Sequence, residues 1–349
     1  MAKQSFYNFD LTHLEECLKQ QELKPYVAKQ LFNWVYKKHI TDFKAMSNIG
    51  KVAQETLSNV FIFDNLQIVK VLTDENKETV KFLFKLKDNN FIETVIMKFD
   101  YGYSVCVSTQ VGCNMGCKFC ASGTHKKIRN LETSEIVLQF IEANNWLLKN
   151  TNEHLSNIVV MGIGEPLDNF DNVVSALKII TCQHGLEIGS RHITISTCGL
   201  CNKIIDFAKA LPQINIAISL HASNDAIRNK LMPINKTYPL SQLIETCKQY
   251  LEISNRRLTF EYILLDGIND SDENALELVE LLKGLLCYVN LIPYNETYLS
   301  NFKRSKRVRQ FFNVLNKNKL QATIRLERGT KIAAACGQLR IQHNDKEKN

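Results

Sequence analysis

The chain has 349 residues, of which 45% are hydrophobic, and it carries a formal net charge of +7. This length is enough for one large core and a small accessory domain. No apolar run approaches the roughly 20 residues of a membrane span, and the N-terminal segment lacks the apolar core of a signal peptide. We therefore expect a cytoplasmic protein with no membrane span, whose eleven cysteines stay reduced and serve metal or redox chemistry.

Apolar residues recur at helical spacing near the N-terminus, as at Leu31 and Val35. This pattern predicts a small helical accessory domain over 1–60. Alternating apolar residues then predict antiparallel strands with a turn at 88–90 (Asp-Asn-Asn), so that 61–98 forms a short β extension or linker.

From about residue 99 the sequence changes to short, β-branched apolar runs separated by helical stretches. Continuous apolar strands that alternate with helices are typical of buried parallel strands in βα units. We therefore predict an α/β fold whose core, over 99–340, is a partial (β/α)6 barrel, followed by a disordered tail at 341–349. The helix after the first strand is predicted to have Thr133 or Ser134 as its N-cap. The predicted strands are 104–108, 157–161, 192–196, 215–220, 258–263, 288–292 and 322–326.

Three cysteines, Cys113, Cys117 and Cys120, form a C-x3-C-x2-C pattern. Three thiolates at this spacing can hold a [4Fe–4S] cluster and leave its fourth iron open for chemistry. A zinc site is the alternative, although zinc usually takes four ligands in C-x2-C pairs, and only His125 offers a nearby fourth ligand. The pattern, with Phe119 before the last cysteine, resembles the signature of the radical S-adenosylmethionine (SAM) enzymes. In those enzymes the open iron binds SAM, and the cluster reduces its sulfonium to give a 5′-deoxyadenosyl radical.

Polar residues follow several predicted strands, at the edge that carries the active site in parallel βα folds. The second strand leads into Gly164 and Glu165, which resemble the radical SAM element that binds the amino group of SAM. Each of the other polar ends is by itself more typical of a structural cap, but together at one rim they suit the ribose and carboxylate of SAM. These other positions are Ser196, Ser219, Leu220, His221 and Asn295.

Two further cysteines stand apart from this pattern. Cys106 precedes the first cysteine of the pattern by seven residues, and Cys336 lies near the C-terminus. A buried, inert thiol is the ordinary interpretation of a lone cysteine. The spacing along the chain does not show whether these two thiols meet.

Basic residues are concentrated at 126–129 and 303–309. Such runs are often solvated helix faces, and they also suit a polyanionic partner. Charge alone leaves both interpretations open.

Six segments together resemble the dual-specificity rRNA/tRNA adenine-C2 methyltransferases of the RlmN family, over nearly the whole chain. The related Cfr family methylates carbon 8 of the same rRNA adenosine, and the proline at Pro166 favours the C2 enzymes. The segments are 106–120 (CVSTQVGCNMGCKFC), 161–167 (MGIGEPL), 216–221 (IAISLH), 231–235 (LMPIN), 289–293 (VNLIP) and 334–339 (AACGQL).

The resemblance implies a methylation in two stages, with a [4Fe–4S] cluster and two SAM molecules per turnover. Cys336 would accept a methyl group from one SAM, and a radical from the second SAM would take a hydrogen atom from that group, which then adds to adenine. Cys106 would resolve the protein–RNA adduct by forming a disulfide with Cys336. Glu93 matches the position of a proton acceptor, and a strand-surface residue is an equally good interpretation. The positions that match SAM contacts are Gly164, Glu165, Ser196, Ser219, Leu220, His221 and Asn295.

The implied substrates are adenosine 2503 of 23S rRNA and adenosine 37 of tRNAs. The target base must be unstacked, because its C2 atom is covered inside a stack. A low-potential electron donor such as flavodoxin or ferredoxin, and a monomeric enzyme, are further expectations. The helical domain is the natural candidate for gripping RNA, with charge from Lys3, Lys19, Lys24, Lys29, Lys37 and Lys38.

The chain departs from the family pattern at two places. Members usually carry an Asp-rich stretch where this chain has 329–333, and Cys198 with Cys201 forms an additional C-x2-C that we interpret as drift rather than a second metal site. Two rival functions remain open: a glycyl-radical activase, which would need no Cys106 or Cys336, and a non-enzymatic iron–sulfur RNA-binding or assembly factor.

Overall fold

The computed structural model describes residues 3–296 and 300–339, so the predicted tail at 341–349 lies outside the described residues. The N-terminal part is helical, as the sequence predicts, and its core is aromatic. The ring of Phe6 lies 6.1 Å from those of Phe32 and Tyr36 and 6.0 Å from that of Phe61. Its elements are β1 (Gln4–Ser5), α1 (Leu11–Gln20), α2 (Tyr26–Phe32), α3 (Lys51–Val60) and β2 (Phe61–Ile62).

Three antiparallel strands follow and join the edge of the main sheet. Asn89 turns the chain between the second and third strands with a left-handed φ of 65°, which agrees with the turn predicted there. The first strand is exposed along almost its whole length, whereas the second is buried at every position except Lys85. These strands are β3 (Gln67–Thr73), β4 (Thr79–Lys85) and β5 (Phe91–Phe99).

The core consists of parallel strands with helices between them. These strands are β6 (Gly102–Cys106), β9 (Leu155–Val160), β10 (Ile193–Thr197), β11 (Asn215–Ser219), β12 (Leu258–Leu264), β13 (Cys287–Pro293) and β14 (Ala322–Ile324). A separate, short antiparallel pair is formed by β7 (Gln110–Val111) and β8 (Arg129–Asn130). The helices are α4 (Thr133–Thr151), α5 (Phe170–Thr181), α6 (Cys201–Ala210), α7 (Asp225–Leu231), α8 (Leu240–Ser254), α9 (Asp272–Leu281) and α10 (Val308–Lys317).

One ten-stranded sheet runs in the order β14-β13-β12-β11-β10-β9-β6-β5-β4-β3. Strands β6 and β9 to β14 pair in parallel, and β5 pairs antiparallel with β6. The predicted α/β class is therefore confirmed. The order also makes the antiparallel extension a direct continuation of the barrel wall. All seven residues of β12 are buried, as expected for a strand covered on both faces.

The predicted N-cap of α4 is wrong. The cap is Glu132, whose backbone N–H donates to the Glu135 carboxylate at 2.9 Å in a capping box. Thr133 and Ser134 are instead buried in the first turn, where Thr133 donates to Asn172. Over residues 3–296 and 300–339, none of the helices combines the length and apolar character needed to span a membrane.

Candidate active site

Cys113, Cys117 and Cys120 lie on a loop that is closed at its base by the β7–β8 pair. The backbone N–H of Cys113 donates to the carbonyl of His125 at 2.9 Å, which brings the two ends of the loop together. Gly112 has a φ of +78°, and a Cβ there would lie 2.3 Å from the carbonyl oxygen of Lys126. Only glycine fits this crossing, so the tight entry into the cysteine loop is set by the sequence.

The three thiols share one environment. Burial raises the pKa of Cys113 to about 12, and it also raises the pKa of Cys117 and Cys120, with further contributions from the neighbouring thiols. Backbone N–H groups of Ser122 and Gly123 point at the sulfur of Cys120, an arrangement that stabilises a thiolate. These features fit an iron–sulfur cluster, in which each thiolate binds its own iron. Across the described part of the chain, no group of three His, Cys, Asp or Glu side chains is arranged to bind one metal ion together.

Gly164 and Glu165 lie directly beside this loop. A Cβ on Gly164, which has a φ of +109°, would come within 2.6 Å of Gln110 Cβ, so the backbone needs glycine to pass there. The buried carboxylate of Glu165 accepts from the backbone N–H groups of Leu167 at 3.1 Å and Cys198 at 2.8 Å. Burial raises the pKa of Glu165. The side chains of Thr197 and Cys198 also bond to this carboxylate, so the group is held in a fixed orientation beside the cysteine loop.

The remaining predicted SAM positions fall into two groups. Ser196 and Ser219 are half-buried, and the Ser196 hydroxyl donates to the Val160 carbonyl at 3.3 Å. The backbone N–H groups of Leu220 and His221 donate to the carbonyl of Glu261, at 3.1 and 3.2 Å. These four positions are therefore at least partly engaged in holding neighbouring strands together.

His221 packs against the cysteine loop. Its ring contacts Phe119 edge-on, with the ring centroids 4.8 Å apart, and its Nδ1 accepts from the N–H of Ile263 at 3.1 Å. Burial, together with the Arg228 guanidinium, lowers the pKa of His221 to about 3. The imidazole is therefore neutral, as an acceptor at Nδ1 must be.

Asn295 is the predicted SAM position with the clearest unmet capacity. Its side chain is buried, and its Oδ1 has no hydrogen-bond partner among the described residues. A buried acceptor without a partner is costly unless a ligand satisfies it. Asn295 lines a cavity that is also lined by Cys106, Cys120 and Cys336.

Cys106 and Cys336 line this same cavity. The structure therefore brings together two thiols whose separation along the chain did not indicate that they would be close. Cys106 ends β6 and is buried against Val95 and Ala334. Burial, with a smaller contribution from Cys336, raises the pKa of Cys106 to about 12. All eleven cysteines lie in the described residues, and each is a free thiol.

Glu93 is not a strand-surface residue, because its side chain is only 3% exposed. Its Oε1 lies 3.1 Å from Nζ of Lys81, which is equally buried and also donates to the carbonyl of Ala333 at 3.1 Å. The sequence analysis missed Lys81. A lysine inside the run Val-Lys-Phe-Leu-Phe on a strand buried on both faces was the available signal.

Two arginines near the site were also missed. Arg325 lines the cavity of the two thiols and lies 3.8 Å from the buried carboxylate of Glu261. Arg228 is fully buried and donates to the carbonyls of Cys198 at 2.8 Å and Ser219 at 3.2 Å. Arg228 thus connects the ends of two adjacent strands at the rim. Sequence patterns do not reveal such contacts, because most partners of Arg228 are backbone carbonyls.

Many cations of the basic runs have acidic partners. In the first run Lys127 pairs with Asp168 at 2.6 Å, and Arg129 pairs with Asp88 and Glu135. In the second run ion pairs link Lys303 to Glu296, Arg304 to Glu327 and Arg307 to Asp272. These runs are therefore largely neutralised locally. In the helical domain Lys37 pairs with Glu187, and Lys38 lies 3.7 Å above the ring of Trp34.

Cys198 and Cys201 are both buried. The N–H of Cys198 donates to Glu165, and the Cys201 thiol donates to the carbonyl of Gly199 at 3.6 Å. These hydrogen bonds indicate that the two cysteines have a structural role in the packing beside Glu165.

Comparison with known proteins relates the chain to two sequence families. The radical SAM superfamily matches residues 107–279, and the ribosomal RNA large subunit methyltransferase N-terminal domain matches residues 5–63.

Full-length relatives give the same result. A probable dual-specificity RNA methyltransferase RlmN from Malacoplasma penetrans is 55% identical over 98% of this chain and 97% of its own length. The corresponding protein of Spiroplasma citri is 50% identical over 97% and 98%. Among solved structures, a radical SAM methyltransferase from Sphaerobacter thermophilus is 41% identical and superposes with a TM-score of 0.89 over 97% of this chain and 99% of that protein.

Proposed function

The chain belongs to the RlmN family of radical SAM RNA methyltransferases, and we propose that it methylates C2 of adenosine 2503 in 23S rRNA and of adenosine 37 in tRNAs. Membership of this family sets aside the glycyl-radical activase and the non-enzymatic factor. The observation that carries the proposal is that Cys106, Cys120 and Cys336 line one cavity. A methyl-carrying thiol, a resolving thiol and a cluster ligand are the groups that this reaction needs in one place.

Cys113, Cys117 and Cys120 would hold the [4Fe–4S] cluster, and Glu165 with Asn295 would bind SAM. When bound, the cluster and SAM supply the hydrogen-atom abstraction that activates an S-methyl group. Glu165 suits the ammonium of SAM because its carboxylate is fixed by two backbone donors. Asn295 suits a polar ligand because its buried Oδ1 has no partner among the described residues.

Cys336 is the carrier in this proposal. Its thiolate would take a methyl group from the first of two SAM molecules, and the S-methyl carbon would later be joined to C2 of adenine. Cys106 would then attack the sulfur of Cys336. The S–S bond forms as the bond between sulfur and the methylene carbon breaks. The carbon keeps the electron pair of that bond and takes up a proton to become the methyl group, which releases RNA from the protein, and an external thiol reductant would return the disulfide to two thiols. The position of Cys106 beside Cys336 in one cavity supports this role, because the attacking sulfur must reach the sulfur of Cys336.

Glu93 would accept the proton that leaves C2 of adenine. Glu93 lies on β5, two residues from Val95, and Val95 pairs with Cys106 on β6. The side chains of Glu93 and Cys106 therefore lie on the same face of the sheet. Oε1 of Glu93 lies 3.1 Å from Nζ of Lys81, which fixes the orientation of the carboxylate at this buried position.

The RNA partners follow from the same proposal. The helical domain would grip RNA, and the target adenosine would enter the cavity unstacked. We also propose a low-potential flavodoxin or ferredoxin as electron donor, a monomeric enzyme and a cytoplasmic site of action, where ribosomes and tRNAs are found.

The test is an assay of the product nucleoside. Anaerobically reconstituted and reduced protein is incubated with SAM and with 23S rRNA or tRNA, and the digested RNA is analysed by liquid chromatography and mass spectrometry against both standards. We expect 2-methyladenosine from both RNAs, together with 5′-deoxyadenosine. Formation of 8-methyladenosine would instead identify Cfr-type chemistry. Cleavage of SAM without any methylated adenosine would contradict the proposal.

A further inference from the structure

The lysine that pairs with Glu93 also holds the segment that carries Cys336. Lys81 lies on β4 directly opposite Val95 of β5, and its side chain is 4% exposed. Its Nζ is 3.1 Å from Glu93 Oε1 and 3.1 Å from the carbonyl oxygen of Ala333. One buried ammonium therefore connects the acid to a residue three positions before Cys336.

This ion pair is a poor choice for stability alone. Removing a lysine and a glutamate from water costs several kcal/mol for each ion, and well-packed apolar residues of similar volume often serve a core equally well. The neighbours on the strand, Phe82, Leu83 and Phe84, show that β4 otherwise has an apolar core composition. A buried charge pair at this point is better explained by the site that it borders.

The far side of the Cys336 segment is anchored to the cysteine loop. The carbonyl of Gly337 accepts from the N–H of Ala121 at 2.8 Å, and the carbonyl of Leu339 accepts from the hydroxyl of Ser122 at 2.8 Å. Ala121 and Ser122 directly follow Cys120. Cys336 is thus held between two attachments, one to the loop that would bind the cluster and one to Lys81.

The Lys81 attachment is at a bend. Ala333 has a left-handed φ of 51°, and the N–H of Ala334 returns to the carbonyl of Gly329 at 2.9 Å. A non-glycine residue in this conformation persists only when its surroundings hold it there. The bond from Lys81 to the Ala333 carbonyl provides such a constraint.

We propose that Lys81 is a positioning residue that fixes the Cys336 segment and the Glu93 carboxylate relative to each other. This inference rests on the proposed function, because it gives both groups the same adenine as their target. Loss of the ammonium would let the carrier sulfur move away from the point where hydrogen is abstracted. A displacement of about 1 Å at a reacting centre can cost about 100-fold in rate.

The test follows a label on the carrier methyl group. Protein bearing a CD3 group on Cys336 is mixed with unlabelled SAM, reductant and RNA in a single turnover, and the fraction of 5′-deoxyadenosine that carries deuterium is measured by mass spectrometry. In Lys81→Met we expect this fraction to fall about tenfold or more, because SAM is cleaved without reaching the methyl group. Lys81→Arg, which keeps the charge and the donors, should recover most of the deuterium transfer. Lys85→Met is the matched control on the same strand and face, and it should behave like the wild type.

A second measurement does not depend on turnover. Hydrogen–deuterium exchange of the holoenzyme should be faster at 333–337 in Lys81→Met and unchanged in Lys85→Met. If Lys81→Met does not fold because the buried Glu93 carboxylate loses its ammonium partner, the comparison moves to Glu93→Gln and the double variant Lys81→Met/Glu93→Gln, which has neither charge. The double variant should then show the lower deuterium fraction.

The outcomes separate the two proposals. Equal deuterium transfer in folded Lys81→Met and wild type, or in the double variant and Glu93→Gln, would overturn the role of Lys81. Wild-type protein that makes only unlabelled 5′-deoxyadenosine would instead contradict Cys336 as the methyl carrier, and so the proposed function itself.

Discussion

Replacing Cys106 by alanine is the perturbation that best separates a resolving thiol from a structural one. Cys106 is 6% exposed and packs against Val95, Ile163 and Ala334. The substitution removes one buried sulfur, which corresponds to about 1 kcal/mol of lost burial. The new space adjoins an existing cavity, so little additional void is created. Against a typical stability of about 5–15 kcal/mol, Cys106→Ala should remain folded.

The expected result is a trapped intermediate. Cys106→Ala should still carry a methyl group on Cys336 and still attach to RNA, because neither step uses the Cys106 sulfur. It should not release the RNA. Labelled RNA should therefore stay bound to the protein on a denaturing gel, and the band should disappear in Cys106→Ala/Cys336→Ala. Two residues that act in sequence on one intermediate give this non-additive behaviour.

The pH dependence of release gives a further check on the wild type. Burial raises the pKa of Cys106, so the folded protein holds a neutral thiol at neutral pH. Thiolate is the attacking form, and its fraction rises about tenfold per pH unit below the pKa. The rate at which RNA is released from the adduct in a single turnover should therefore rise with pH, in proportion to the thiolate fraction. Full methylation by Cys106→Ala with no crosslinked RNA would refute the reasoning and remove Cys106 from the mechanism.

Three further predictions concern the cluster, the carrier and the acid sensitivity. Anaerobically reconstituted protein should bind about four irons, and Cys113→Ala, Cys117→Ala or Cys120→Ala should abolish this binding; stoichiometric zinc without absorption near about 400 nm would contradict it. Tandem mass spectrometry should find one additional methyl group on Cys336 in protein purified from cells, and an unmodified Cys336 in active protein would exclude the carrier role. Since the pKa of His221 is lowered to about 3, its contribution to stability is present above pH 6.5 and is lost as pH falls toward 3. At pH 5 the loss should be about 2 kcal/mol, and urea unfolding of His221→Gln should show a correspondingly smaller change between pH 7 and 5.

Local patterns were sufficient to predict most of the fold. The β-branched runs predicted the parallel strands because buried strands need continuous apolar sequence. The turn at 88–90 was predicted because Asp and Asn are typical turn residues, and the structure places Asn89 there with a left-handed φ. The start of α4 was predicted wrongly at Thr133 or Ser134, since a glutamate in a capping box replaced the usual hydroxyl cap at Glu132.

Sequence was less informative about contacts between distant segments. The pattern of Cys113, Cys117 and Cys120 is local, so its place on one loop followed from spacing alone. The meeting of Cys106 with Cys336 depends on how the chain returns after β14, which no local pattern encodes. Lys81 was missed for the same reason, because its partners lie on another strand and on a segment about 250 positions further along the chain.

The sheet order gives the antiparallel extension a role that its sequence position obscures. A segment between a helical domain and a barrel is naturally interpreted as a linker. Here β5 pairs with β6, the first barrel strand, and β4 pairs with β5, so both strands extend the wall beside Cys106. The segment after β14 reaches this wall, where Nζ of Lys81 donates to the carbonyl of Ala333. The extension therefore supplies both Glu93 and the attachment of the Cys336 segment. A barrel that ended at β6 would retain the cysteine loop, but it would have neither the acid nor the support that the proposed reaction requires.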